Sequence, residues 1–279
     1  MPRYRIPLFF LVMGTLASTP GCTGSEDEPI ASQLVEDGEE SENEPTKPSP
    51  APLYSPEAFL DASAKGKLRV VQRCLETGMD VNTSGPDDNS VLAMAALNGH
   101  EAVAKLLLDA GADVNANDAS GNSVVAMAAY NGHDSVVRLL LDAGAELDTS
   151  NVDGNSVLAM AAYNGHHSVV KLLLDSGADV NSRDLKGLTP LIHAASGPSP
   201  ETVTMLLDAG AEINAKDSGE GFTALMMAAA ENQLDVVKVL IERGANAELE
   251  DIDGDSALDF ARKKGHSDVV NFLISNAKN

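Results

Sequence analysis

The stretch Asn122-Ser-Val-Val-Ala-Met-Ala-Ala-Tyr-Asn-Gly-His133 returns almost letter for letter from Asn155 to His166, 33 residues later. An earlier copy runs from Asn89 to His100, displaced by the same 33. A fixed period of this length belongs to a solenoid, in which each unit buries its apolar face only against its neighbours. Such an architecture supplies extended surface rather than a closed pocket, so the repeat directs the reading toward binding and away from catalysis.

Each position in the repeat has a local role. Ser90 to Ala96 reads as a helix start, with the Ser hydroxyl offered to free backbone N–H groups and small apolar residues allowing close packing. Asn98-Gly-His100 breaks that helix. A second helix follows from Glu101 to Asp109, carrying Val103, Leu107 and Leu108 on one buried stripe. Gly111 closes it where a left-handed backbone is required. The extended segment Ala112 to Ala116 and a turn from Asp118 to Gly121 lead into the next unit. Cys74 falls where later units have Leu107, Leu140 and Leu173, and is expected to be a small buried hydrophobe.

These residues carry a resemblance to ankyrin repeats. Gly111-Ala-Asp-Val-Asn-Ala116, Gly177 to Ser182 and Gly210 to Ala215 are similar to the family's hairpin, and Gly-His at 99, 132, 165 and 265 to its inter-helix turn. Where the family has Thr-Pro-Leu-His, the chain keeps Thr189-Pro-Leu191 followed by Ile192. Elsewhere Ser90, Ser123, Ser156 and Ser256 stand for the Thr, and Ala93, Ala126, Ala159 and Asp259 for the His. The resemblance covers about residues 56–279 and implies an all-α solenoid of helix-turn-helix units joined by hairpins. Closing glycines at 78, 111, 144, 177, 210 and 244 divide it into seven units: 56–87, 88–120, 121–153, 154–186, 187–220, 221–253 and 254–279. The last interval places a one-residue insertion between Asp217 and Gly221. Unit one, with Lys65, Lys67, Arg69 and Arg73, and unit seven, with Arg262, Lys263 and Lys264, read as polar caps. A stack capped at both ends needs no second copy, so a monomer is expected.

Upstream, residues 1–21 read as a secretory signal: a basic start at Arg3 and Arg5, then an apolar run from Ile6 to Leu16 too short to span a bilayer. Thr19-Pro-Gly-Cys22 resembles the lipobox of bacterial lipoproteins, which implies lipidation of Cys22 and anchoring in a bacterial cell envelope. Ordinary cleavage between Ala17 and Thr19, giving a soluble secreted or periplasmic protein, is the alternative. Residues 22–55 read as a disordered acidic tether, since from 23 onward they hold nine acidic residues, five Pro and one Lys. As a flexible coil this tether would span roughly 30 Å.

The formal charge of −23 repels phosphate backbones and argues against nucleic acid, while favouring a protein partner with basic side chains. The membrane enters only through a lipid at Cys22. The resemblance implies docking on the concave side, at the residues that follow Ala-Ala in each unit: Leu97-Asn98, Tyr130-Asn131, Tyr163-Asn164, Ser196-Gly197 and Ala230-Glu231. Leu97, Tyr130 and Tyr163 are expected at the centre, with Asn98, Asn131 and Asn164 beside them. Rings about 10 Å apart would admit an Arg or Lys side chain, helped by carboxylates such as Asp153.

Other groupings are expected to be structural. Asn89, Asn122 and Asn155 suit local backbone contacts in turns. His100, His133 and His166, with His167, diverge along a stack and so cannot converge on a metal. Asp251 to Ser256 imitates a calcium loop, but Ser256 stands at the obligatory Gly position and Arg262 at the bidentate Glu position. No phosphate loop, nucleophile elbow or usable Cys/His pair is present, so no cofactor, metal or catalytic residue is expected. The expected role is non-catalytic protein binding in the envelope. A sequestering, immunity-type factor against a toxin or enzyme and a purely structural spacer are the alternatives.

Overall fold

The computed structural model describes residues 54–276. The expected signal, Cys22 and all but the last two residues of the expected tether lie outside the described residues.

Fourteen helices occur among the described residues, in seven pairs, and no extended strand. They are α1 (Pro56–Ala64) with α2 (Leu68–Glu76), α3 (Val91–Leu97) with α4 (Glu101–Asp109), and α5 (Val124–Tyr130) with α6 (Asp134–Asp142). Then come α7 (Val157–Tyr163) with α8 (His167–Asp175), α9 (Pro190–Ser196) with α10 (Pro200–Asp208), and α11 (Ala224–Ala230) with α12 (Leu234–Glu242). The last pair is α13 (Ala257–Lys264) with α14 (Ser267–Asn276). First helices pack on first helices of adjoining units, and second helices on second helices, in one continuous series. This is the all-α repeat solenoid that the sequence period demands.

The first helix of every unit starts on a hydroxyl. Ser55, Ser90, Ser123, Ser156, Thr189, Thr223 and Ser256 each accept a hydrogen bond from the backbone N–H three residues on. A cap of this kind contributes about 1 kcal/mol. The helix behind it is buried nearly all round, as α5 is at Val124 through Ala129. Only the Ala-rich composition allows helices on both sides to approach that closely. The second helices bury one stripe. In α4 that stripe is Val103, Ala104 and Leu107, whereas Leu108, expected in it, is only half-buried. Cys74 is fully buried, as its alignment with the leucines requires.

Two ladders run from unit to unit. At the inter-helix turns, His100 Nε2 donates to the Ala64 carbonyl (2.9 Å), His133 to Leu97 (3.0 Å), His166 to Tyr130 (2.9 Å) and His266 to Ala230 (3.0 Å). In unit six Gln233 Nε2 does the same work, donating to the Ser196 carbonyl at 3.3 Å. The rings of His100, His133 and His166 also lie over Gly66, Gly99 and Gly132 of the preceding turns. A Cβ on Gly99, whose φ is +73°, would come within 2.6 Å of His133 Nδ1. The Gly-His pair therefore needs its glycine twice, for a left-handed backbone and for the neighbouring imidazole.

At the hairpins, Asn82 Oδ1 accepts from Asp113 N–H, Asn115 from Glu146, Asn181 from Glu212 and Asn214 from Asn246, all at 2.9–3.0 Å. The tips join in the same direction, with Val152 N–H donating to Ser120 O (3.0 Å) and Leu185 N–H to Asp153 O (3.1 Å). The one-residue insertion is absorbed within a single tip: Asp217 N–H pairs with Phe222 O, one residue farther than Asp118 with Asn122. Pro198 and Pro200 of unit five fit without shortening the helices. Ser199 caps α10, and Pro200 occupies its first turn, where no N–H is needed.

Candidate protein-binding site

The seven-residue first helices place their last residues in a row along the stack. Leu97, Tyr130 and Tyr163 are all half-buried there, at the C-terminal ends of α3, α5 and α7. The asparagines that follow are committed to backbone groups. Asn98 Nδ2 donates to Met94 O (2.8 Å) and Asn131 to Met127 O (2.9 Å), closing their own helices. Asn164 instead reaches back one unit, to the Tyr130 carbonyl at 2.8 Å, which also accepts from His166. That doubly used carbonyl fixes Tyr130 against the turn of unit four.

Asp153 is exposed, on the hairpin tip before α7. The whole of α7, about 10 Å for seven residues, separates that tip from Tyr163. The structure thus does not bring Asp153 together with the tyrosines as the sequence reading had it. The carboxylate that acts on Tyr163 is Glu231, at the C-terminus of α11. Burial raises the Tyr163 phenol above its ordinary value of 10.0, and the nearby Tyr130 and Glu231 add to that rise.

Three features of the surface were not singled out in the sequence. Val152, Leu185 and Ile252 are 64%, 77% and 68% exposed at hairpin tips. Single exposed apolar residues are ordinary, but the first two occupy successive tips beside the tyrosine units. Val152 and Leu185 stand 33 residues apart, at one position of the repeat, and that shared spacing is the sequence signal that marks them.

The asparagine column behaves differently from the local-turn expectation. Asn122 and Asn155 are buried. Asn122 Nδ2 donates to Asp118 Oδ2 (2.9 Å), and Asn151 Nδ2, from the next hairpin, donates to Asn122 Oδ1 (3.2 Å). Asn122 thus pairs with other side chains, whereas Asn155 Oδ1 is buried with no hydrogen-bond partner among the described residues. At unit five Leu188 stands in the asparagine position and the hairpin carboxylate takes another partner: His193 Nε2 lies 3.2 Å from Asp184 Oδ2, both side chains under 10% exposed. Burial pushes the Asp184 carboxyl up, but the His193 hydrogen bond, the Leu188 N–H, the His193 charge and the Lys186 N–H outweigh it and hold it below 3.8. In unit six Phe222 takes the asparagine position and meets Phe260 edge-on at 5.3 Å.

The turn histidines, each spent on a carbonyl, point along the stack. No group of three or more His, Cys, Asp or Glu able to hold a metal occurs among the described residues. In the loop that imitates a calcium site, Asp251 Oδ1 accepts from Asp253 N–H (3.0 Å) and Asp255 N–H (2.8 Å), as Asp does in a tight turn.

A family model described as ankyrin repeats, three copies, matches residues 25–118, 59–151, 125–217 and 214–279. The crystal structure of the human ASB11 ankyrin repeat domain superposes with a TM-score of 0.73 at 30% identity, covering 80% of this chain and 98% of that one. Notch-regulated ankyrin repeat-containing protein B of Danio rerio is 44% identical over 59 residues, 21% of this chain and 53% of that protein. The human Notch-regulated ankyrin repeat-containing protein is also 44% identical over 59 residues, 21% of this chain and 52% of its own length. The chain thus spans about half the length of these curated relatives. A 60-residue match at 45% identity joins 20% of the chain to 2% of the E3 ubiquitin-protein ligase hecd-1 of Caenorhabditis elegans.

Proposed function

The chain belongs to the ankyrin-repeat family, whose members serve generally as non-enzymatic protein-binding scaffolds, and from that premise we propose that it binds a protein partner across units two to four. The observation that carries this reading is the row of Leu97, Tyr130 and Tyr163, large side chains left half-exposed at equivalent positions of three successive units. Tyrosines held on a rigid frame lose little freedom on docking and are frequent interface anchors. With 42 acidic residues against 19 basic ones, the partner surface is basic. The repeat stack is the frame, and no catalytic step is assigned to it.

The proposal extends to location. A leader at residues 1–21 exports the chain, Cys22 carries a lipid, and residues 22–55 hold the repeats off the membrane of a bacterial envelope. Support comes from the basic-then-apolar start, the Gly21-Cys22 pair and the acidic, Pro-containing segment. No helix among the described residues is long and apolar enough to cross a membrane.

Affinity capture from envelope extracts tests the binding reading. The wild-type chain is expected to retain a partner that is lost from the Tyr130→Ala, Tyr163→Ala double variant, with thermal melting nearly unchanged. Retention by the double variant at wild-type level removes the tyrosine row from the site. Mass spectrometry of the membrane fraction, compared with a Cys22→Ser variant, tests the anchor: a lipid-modified Cys22 N-terminus is expected, and an unmodified N-terminus from cleavage before Cys22 overturns it.

A further inference from the structure

Unit five breaks the tyrosine row. Its turn carries Ser196 and Gly197 where unit four has Tyr163 and Asn164, so small residues lie between Tyr163 on one side and Glu231 on the other. The absence of side-chain bulk there is enforced by packing. Gly197 is buried, and a Cβ added to it would fall 2.7 Å from the Tyr163 carbonyl oxygen. Both sides of the gap are pinned. Gln233 Nε2 ties unit six to the Ser196 carbonyl, and His266 Nε2 ties unit seven to the Ala230 carbonyl next to Glu231.

The ends of α7 and α11 stand two interaxial steps apart, roughly 16–20 Å between backbones. Tyr163 at one end and Glu231 at the other thus flank a notch whose floor is the small residues Ser196 and Gly197. Glu231 is half-buried, yet among the described residues it forms no ion pair, while other carboxylates along the stack, such as Asp208 with Arg243 and Asp255 with Lys263, do. A half-buried carboxylate close enough to act on the Tyr163 phenol, with no ion pair among the described residues, calls for a cation from outside.

We propose that the notch over unit five, with Ser196 and Gly197 as its floor and Tyr163 and Glu231 as its walls, receives one arginine side chain of the protein partner. Arginine fits better than lysine, because its flat guanidinium stacks on the Tyr163 ring while its edge forks onto the Glu231 carboxylate. The proposal rests on the protein-binding reading above and relocates its cation from between the two tyrosines to the far side of Tyr163. The raised Tyr163 phenol is consistent with this, since Glu231 contributes to the rise.

The test uses the full-length protein and three probes: Nα-acetyl-arginine methylamide, its lysine counterpart and its uncharged citrulline counterpart, followed by NMR of the tyrosine rings. The arginine probe is expected to shift the Tyr163 resonances saturably and the lysine probe about threefold more weakly, with no saturable shift from citrulline. Glu231→Gln should weaken the arginine probe about fivefold, and Ser196→Tyr, which fills the notch, should abolish its effect without changing thermal melting. Equal responses to arginine and citrulline, or an unchanged response in Glu231→Gln, overturn the proposal. If envelope capture fails while the arginine probe still binds, the partner reading falls and the notch stands; if capture succeeds and Glu231→Gln changes nothing, the notch alone falls.

Discussion

His193 and Asp184 form a buried pair at the hairpin that leads into unit five, where the equivalent carboxylate Asp118 pairs instead with the Asn122 amide. Asp184 Oδ1 also accepts from the N–H groups of Lys186 and Leu188, both at 2.8 Å, so one carboxylate ties together the hairpin and α9.

Acid should loosen this pair. The Asp184 carboxyl titrates below its ordinary 3.8 when folded, so the stability it contributes is complete above the unfolded value and is lost as pH falls through the folded one. Asp184→Asn is expected to cost about 1–3 kcal/mol at neutral pH. In urea titrations from pH 7 to pH 2, the gap between wild type and variant should hold constant down to about pH 5 and close below about pH 4. A gap independent of pH would remove the carboxylate from the account.

Glycines with similar backbone angles should differ in what they tolerate. Gly111→Ala, at φ +90° with nothing within 4 Å of the new Cβ, carries only the cost of the left-handed backbone, about 1 kcal/mol. Gly99→Ala also displaces His133 and should cost about 2–3 kcal/mol. In a His133→Ala background the two costs should converge, a double-mutant cycle read by chemical denaturation.

The turn bond itself should accept a surrogate. His133→Ala strands the Leu97 carbonyl and is expected to lose about 1–2 kcal/mol. His133→Gln should lose less than half as much, because Gln233 already makes the equivalent bond in unit six. Equal losses for Ala and Gln in melting experiments would show that ring packing, and not the donor, is what counts.

Cys74 offers a reporter of opening at the first unit. Burial raises its thiol above 9.0, so in a Cys22→Ser chain the single thiol should react with iodoacetamide at pH 7.5 far more slowly than a free cysteine. Sub-denaturing urea should accelerate labelling in step with loss of helicity; fast labelling without urea would mean that the cap unit frays.

What could be read from the letters was whatever the repeat states locally. Ser90, Gly99 and Glu101 announce a cap, a turn and a second helix within a dozen residues, and the structure has all three in place. His133 was legible as part of a turn, but its partner Leu97 lies 36 residues away, and only the stacking reveals the bond. The same limit governs Asp153 and Glu231. Sequence proximity favoured Asp153 as the carboxylate beside the tyrosines, yet one helix length separates it from Tyr163, while Glu231 arrives from two units downstream. Asn122 looked like a turn former because Asn is common in turns, but buried it pairs with the Asp118 and Asn151 side chains. Asn155 Oδ1 is buried with no hydrogen-bond partner among the described residues.

The bonds that cross from unit to unit all connect like with like: a turn imidazole to the preceding turn, a hairpin amide to the next hairpin. Units two and three each donate a turn imidazole to the preceding turn and accept one from the next. A tandem duplication in the gene that copies one such stretch would therefore yield a chain whose new member finds matching donors and acceptors on arrival. Lineages can lengthen or shorten the molecule in single steps of one unit, and the notch beside unit five would move relative to the ends without being rebuilt.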